Sequence, residues 1–299
     1  MALALVVALP FLGILFPLLA DRKGRSLCAL AAALAPAAAM VVLWAERPGT
    51  FEGHGHVVRY PWLTELGLDL SFRLDGLSFL FALLILGIGL LVILYARYYL
   101  AKQEPMGRFF AYLLLFMGAM LGVVLSENLL LMLMFWELTS LSSFLLVGFW
   151  SGSSDARRGA RMALTITGGG GLALLAGILL LGHMAGSFEL SVVLEAGDIV
   201  RAHSLYPVAL TLILLGVFTK SAQFPFHFWL PQAMAAPTPV SAYLHSATMV
   251  KAGVFLLARL YPVLAGTDWW FYMVSMTGMV TLLFGACMAL FQHDLKGLL

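Results

Sequence analysis

Glu137, Lys220 and Lys251 stand where an amino-acid chain rarely places charge, inside long apolar runs. A charge at the centre of a bilayer costs about 2.5 to 3.5 kcal/mol even on insertion scales, so one that survives there usually faces protein and has a partner. Glu137, in Phe135-Trp136-Glu137-Leu138-Thr139-Ser140, falls ~14 Å into its run at 1.5 Å per helical residue. Lys251, in Thr248-Met249-Val250-Lys251-Ala252-Gly253, falls ~16 Å into another. Lys220 precedes Phe224-Pro225-Phe226-His227, and a proline there removes an N–H that would have bonded the Ser221 carbonyl. A discontinuous helix beside a buried charge is how transporters build sites at the membrane midplane. A carboxylate and lysines held this way suit a proton or cation path, because a nearby movable carboxylate can switch a buried lysine between loaded and empty forms. The same pair could instead be a polar clasp between helices.

Two further residues join these candidates. His245, six residues before Lys251, could link the central lysine to the next group of a relay. Asp75, in Arg73-Leu74-Asp75-Gly76-Leu77-Ser78, is either a helix-capping residue or a channel residue. His54 and His56 resemble a metal pair, but two histidines without other ligands read as a solvated loop, and no metal site is expected. Gly168 to Gly171 lack the Gly-Lys-Ser/Thr ending of a phosphate loop and lie in an apolar run, so close helix packing is expected of them.

The elements that must position these residues follow from composition. The chain has 299 residues, 62% of them hydrophobic and 11% charged, with a mean hydropathy of +0.97. An ordinary soluble domain is roughly 25% charged. The expected fold is therefore an all-α polytopic membrane protein. Its spans are expected at 2–20, 26–45, 75–97, 108–126, 128–150, 161–185, 205–230, 240–262 and 269–292, nine in all, with the seventh broken at Pro225. The net charge of +2 does not argue for nucleic acid. Cys28 and Cys287 both fall within spans and read as inert core thiols.

Connections alternate in charge. Arg22, Lys23 and Arg25, then Arg97, Lys102 and Arg108, then Arg157, Arg158 and Arg161, and finally Lys296 mark one side. Glu46, Glu52, Glu65 and Asp69, then Glu127, then Glu189, Glu195 and Asp198, then Asp268 mark the other. The positive-inside rule makes the basic side cytoplasmic, with the N-terminus outside and the C-terminal end of the chain inside. The first apolar segment has no basic lead and is followed by basic residues, the reverse of a cleavable signal, so it should remain as the first helix. Residues 46–73, rich in glycine and proline, form the one long connection, where a small external hairpin is expected.

Phe218 to Pro231, continued by Ala236 to Gly253, resembles the antiporter-like subunits shared by respiratory complex I and Mrp-type cation/proton antiporters. Arg73 to Ser78 is similar to that family's N-terminal signature, and Trp136-Glu137 to the motif around its essential glutamate. Lys251 together with Tyr243 to Val250 is most similar to the large A subunits of Mrp sodium/proton antiporters.

The resemblance implies that Glu137, Lys220 and Lys251, with His245 as connecting group, form the first half-channel of a sodium/proton antiporter in a bacterial plasma membrane. It implies partner membrane subunits, protons and sodium as cargo, and the lipid bilayer as surroundings. It also divides the chain into helices 1–3 with an external loop (1–107), a first antiporter repeat (108–262) and the start of a second, inverted five-helix repeat (263–299). The motif at Phe291 to Leu299 normally runs on into a further helix, so a fragment or a split subunit is expected. The flavin, haem and iron–sulfur motifs are absent, and no cofactor is expected. Two alternatives stay open: a proton-pumping subunit of complex I or a membrane-bound hydrogenase, and a non-transporting helical scaffold.

Overall fold

The computed structural model of the chain describes residues 2–47, 55–294 and 296. Helices run at Ala2–Gly13 (α1), Leu15–Ala20 (α2), Arg25–Ala45 (α3), Gly76–Tyr99 (α4), Met106–Leu125 (α5), Leu129–Val147 (α6) and Ser154–Ala185 (α7). They continue at Leu190–Glu195 (α8), Gly197–Ala202 (α9), Tyr206–Lys220 (α10), Trp229–Ala233 (α11), Thr238–Ser241 (α12), Met249–Leu264 (α13) and Asp268–Leu290 (α14). Among the described residues, eight segments are long and apolar enough to cross a membrane, and the 15-residue α10 is a shorter apolar helix in the place of the expected seventh span.

Helix starts are written in side chains that accept orphan backbone N–H groups. Asp75 accepts from Ser78, Asn128 from Leu130 and Leu131, Ser153 from Ala156, and Thr267 from Trp270. The expected hairpin between spans two and three forms from His56–Leu63 (β1) and Leu68–Leu74 (β2), antiparallel, with His56 opposite Leu74 and an irregularity between Tyr60 and Leu63. Pro61 sits at that irregularity, where its missing N–H costs no ladder bond. His54 lies outside the described residues, and His56 pairs with Glu46 at 3.4 Å. Among the described residues no group of three potential metal-ligating side chains gathers.

α5 is the centre of the bundle, buried almost all round because it is apolar on every face and small where neighbours approach. A Cβ on Gly118 would lie 2.8 Å from Phe11, and one on Gly122 would strike Phe135. Those two rings stack across α5 with centroids 6.3 Å apart. A glycine seam also joins α7 to α10: a Cβ on Gly177 would lie 2.7 Å from Ile213, and one on Gly216 would lie 2.6 Å from Leu174. Cys28 is buried as expected, but Cys287 is exposed, since α14 buries none of its residues within the described chain.

The two classes of connection separate to opposite ends. At the basic end Arg25 donates to the carbonyls of Arg97 (2.9 Å) and Ala101 (2.8 Å), and Asp21 accepts from the Gly107 N–H at 2.8 Å. At the other end the hairpin is stitched to the α5–α6 and α7–α8 connections, with Glu127 N–H donating to the Ser71 carbonyl (2.9 Å) and Leu190 N–H to the Glu127 carbonyl (2.7 Å).

Candidate functional site

Glu137 lies near the middle of the 19-residue α6. What gives its carboxyl room is the glycine run of α7: a Cβ on Gly171 would collide with Glu137 Oε1, and one on Gly170 with Thr219 Oγ1. Cβ atoms on Gly168 and Gly169 would meet nothing within 4 Å. The run does bring helices close, as expected, but only its second half does so, and one of those two glycines is the seat of the carboxylate. Glu137 Oε1 is buried without a hydrogen-bond partner, and so is the neighbouring Trp136 Nε1.

Lys220 is the last residue of α10 and is fully buried. Its Nζ donates to the Trp136 carbonyl at 3.0 Å and to Ser140 Oγ at 2.8 Å, and it sits 5.1 Å from the centre of the Trp136 ring. Trp136 and Ser140 are one turn apart on α6, so both fall on the face that meets α10. Glu137 and Lys220 act on each other electrostatically but make no direct ion pair within 4.0 Å. The two charges are neighbours separated by neutral hydrogen-bonding groups.

The break beside Lys220 is real, but it starts earlier than the proline predicts. Ala222 takes a left-handed φ of 51°, and Gln223 N–H bonds back to the Phe218 carbonyl at 2.9 Å, which closes α10 as a helix C-terminus. A residue with a Cβ in that conformation costs about 1 kcal/mol, the strain a glycine would avoid. The carbonyls freed by the turn are collected by side chains: Trp229 Nε1–H donates to Thr219 at 2.9 Å and Gln223 Nε2–H to Ser221 at 3.2 Å. The Ser221 carbonyl therefore has a donor, and Pro225 merely prevents the helix from resuming.

His245 lies in a π-helical turn, Ala242–Ala247, which ends at Thr248 where α13 takes over. Thr248 Oγ1 donates to the Tyr243 carbonyl at 2.7 Å, and wide turns of this kind recur at functional sites. Both ring nitrogens of His245 are buried without a partner. Its ring lies 6.0 Å from that of Trp229, the residue that caps the break. The charge of Lys296 reaches His245, while Lys296 Nζ itself donates to the Ala236 carbonyl at 2.6 Å. Burial holds the Lys296 ammonium below the usual lysine range, so this residue is more than a mark of the basic end.

Lys251 departs from expectation. It is exposed, and among the described residues it makes no hydrogen bond or ion pair. The rotation of α13 explains this: a Cβ on Gly253 would strike Ser221 Oγ, so the Gly253 face is pressed on the broken end of α10. Two residues away, at about 100° per residue, Lys251 falls on the opposite side with Val254 and Tyr261. The expected buried row of three is thus a buried pair plus a lysine on an open face.

A second charged cluster, which sequence reasoning touched only at Asp75, lies at the hairpin end. Asp75 caps α4 and is gripped by Arg259 through both guanidinium nitrogens, the longer contact at 3.0 Å, and by Arg73 Nε at 2.9 Å. Arg259 also donates to Ser78 Oγ at 2.6 Å, and Arg73 reaches Glu127 at 3.4 Å. Glu127 accepts the Ser191 N–H at 2.8 Å. Burial acts to raise the Asp75 carboxyl, but Arg259 and Arg73 outweigh it and hold it well below the usual carboxylate range. The overlooked signal was Arg259 itself, a lone arginine within Leu256-Leu257-Ala258-Arg259-Leu260.

Residues 126–299 match the family described as NADH:quinone oxidoreductase/Mrp antiporter, TM, and residues 62–110 match the N-terminus of chain 5 of NADH-ubiquinone oxidoreductase (complex I). A probable K(+)/H(+) antiporter A/B subunit of Rhizobium meliloti is 63% identical over 241 residues, covering 81% of this chain and 24% of its own length. The large Na(+)/H(+) antiporter A subunit of Alkalihalophilus pseudofirmus is 55% identical over 248 residues, covering 82% of this chain and 31% of its own. This chain therefore spans between a quarter and a third of those relatives. Among solved structures, the Mrp complex from Dietzia sp. DQ12-45-1b superposes with a TM-score of 0.91 at 35% identity, over 100% of this chain and 32% of that one. An archaeal membrane-bound sulfane sulfur reductase shares the fold, with a TM-score of 0.85 at 22% identity over 99% of this chain and 61% of that one. With more than half its length matched, the chain belongs to the NADH:quinone oxidoreductase/Mrp antiporter family of multi-pass membrane proteins.

Proposed function

We propose that this chain carries the entry half of a proton path in one component of a multi-subunit monovalent cation/proton antiporter, with Glu137 and Lys220 as its centre. The observation that carries the reading is a midplane carboxylate with an unpartnered oxygen, seated on Gly171 beside a fully buried lysine that only neutral groups hold. A carboxylate near an ammonium favours its charged form, so a proton arriving on Glu137 removes support from the charge on Lys220 and frees that proton to move on. The freed end of α10 and the unpartnered ring of His245 continue the line toward Lys251. Lys251 stands on an open face where further helices of the assembly would dock and receive the proton.

In this reading residues 1–107 are a helical lead-in, 108–262 the first repeat and 263–299 the start of the second. The membrane is the bacterial plasma membrane, and the basic connections are cytoplasmic, as the alternation of charge supports. Names of close relatives support sodium or potassium as the coupled cation. The test is cation-driven proton movement in vesicles holding the intact complex, with Glu137→Gln and Lys220→Ala checked for assembly. Loss of transport from an assembled complex is expected, and full transport by either variant would overturn the proposal.

A further inference from the structure

We infer that the basic end of the bundle holds a binding site for one anionic diacyl phospholipid, between α5, α6 and α7. A cavity of about 370 Å³ opens there, lined by Arg108 on the first turn of α5, by Arg157 and Arg161 one turn apart on α7, and by Tyr112, Phe144 and Leu145. Its rim is cationic and its wall is apolar. That order fits a phosphate headgroup at the membrane surface with acyl chains running inward along the aromatic wall, and basic pockets between transmembrane helices are the usual seat of such headgroups.

The arginines are held and still available. Arg108 lies over the Phe149 ring, 5.2 Å from its centre, and donates to the Phe149 carbonyl at 3.5 Å. Arg157 donates to the Ser151 carbonyl at 2.6 Å. Among the described residues none of the three is paired with a carboxylate. Glu104 beside them is already occupied by Trp150 Nε1 and the Ala101 N–H. α5 and α7 both begin at this level, and the positive ends of their dipoles add to the attraction for an anion. A neighbouring protein of the complex is the poorer occupant, because interface cores are depleted of charged residues.

Native mass spectrometry of the intact complex, purified from vesicles of phosphatidylglycerol and phosphatidylcholine, tests the site. The native complex is expected to retain phosphatidylglycerol, and an Arg108→Gln, Arg157→Gln, Arg161→Gln variant to hold it about a hundredfold more weakly. Leu145→Trp, which leaves the arginines in place and fills the apolar wall, is expected to lose the lipid as well. Glu137→Gln should retain it, so failure of the transport reading leaves this result intact. Retention unchanged in both the triple variant and Leu145→Trp would overturn the site. So would displacement of the lipid by excess glycerol phosphate, which would mark a free-phosphate site, or a photoreactive group at position 145 labelling another protein of the complex instead of lipid.

Discussion

The chain contains two clusters of buried charge that solve opposite problems. At the hairpin end every member is matched: Asp75 with Arg259 and Arg73, Arg73 with Glu127, Glu127 with the Ser191 N–H. At the midplane, Lys220 bonds only to a carbonyl and a hydroxyl, and one oxygen of Glu137 bonds to nothing. Unmatched buried polar groups are costly, and they persist where a function needs a charge that can change. The outer cluster is a clasp, joining the hairpin, α4, α6 and α13. The inner pair has the incompleteness that a clasp would not tolerate, and this difference supports reading it as the moving part.

The largest expected effect breaks the comparison at the midplane. Glu137→Gln should lower proton transport on the order of a thousandfold with assembly retained, as removal of a group that itself transfers protons does, measured by vesicle acidification. Next, Arg259→Ala should lower stability by about 3 kcal/mol in thermal unfolding, because Asp75 is left partly buried with a weakened match, while transport per assembled complex stays near native. The reverse pattern, with Arg259→Ala abolishing transport at unchanged stability, would erase the distinction between the clusters.

A finer test uses the glycine run. Gly171→Ala places a methyl on the carboxylate's seat and should cost about 2 kcal/mol in stability or a comparable loss in transport. Gly168→Ala, where a Cβ meets nothing within 4 Å, should change either by less than about 0.5 kcal/mol. Equal effects would mean that the run serves packing alone.

The smallest effect concerns pH. Because the folded Asp75 carboxyl lies below its ordinary value, its stabilisation is complete above the unfolded value, about 3.9, and fades only as pH falls through the lower folded value. The difference in melting temperature between the native protein and Asp75→Asn should therefore stay flat from about pH 8 to 5. A slope in that window would show that Asp75 titrates there and that the outer cluster also switches.

Much of this was legible in the residues. Spans follow from apolar length, and helix starts from Asp75, Asn128, Ser153 and Thr267. Glu137 and Lys220 could be singled out because charge in an apolar run is costly wherever it occurs. The position of the break was legible only to within a turn, since Pro225 announces that a helix must stop but Ala222 and Gln223 decide where. Arg259 was passed over because its partner Asp75 is 184 residues away and nothing local names the pairing.

Sequence by itself determined that the chain crosses a membrane many times, that its seventh span is interrupted, and that charge lies at the midplane. Those properties depend on hydropathy, proline and burial cost, which act locally or against solvent. Tertiary structure alone decided which charges meet. Gly171 seats Glu137, and Gly253 packed on Ser221 turns Lys251 outward, because the rotation of a helix about its axis is set by the small residues its neighbours press against.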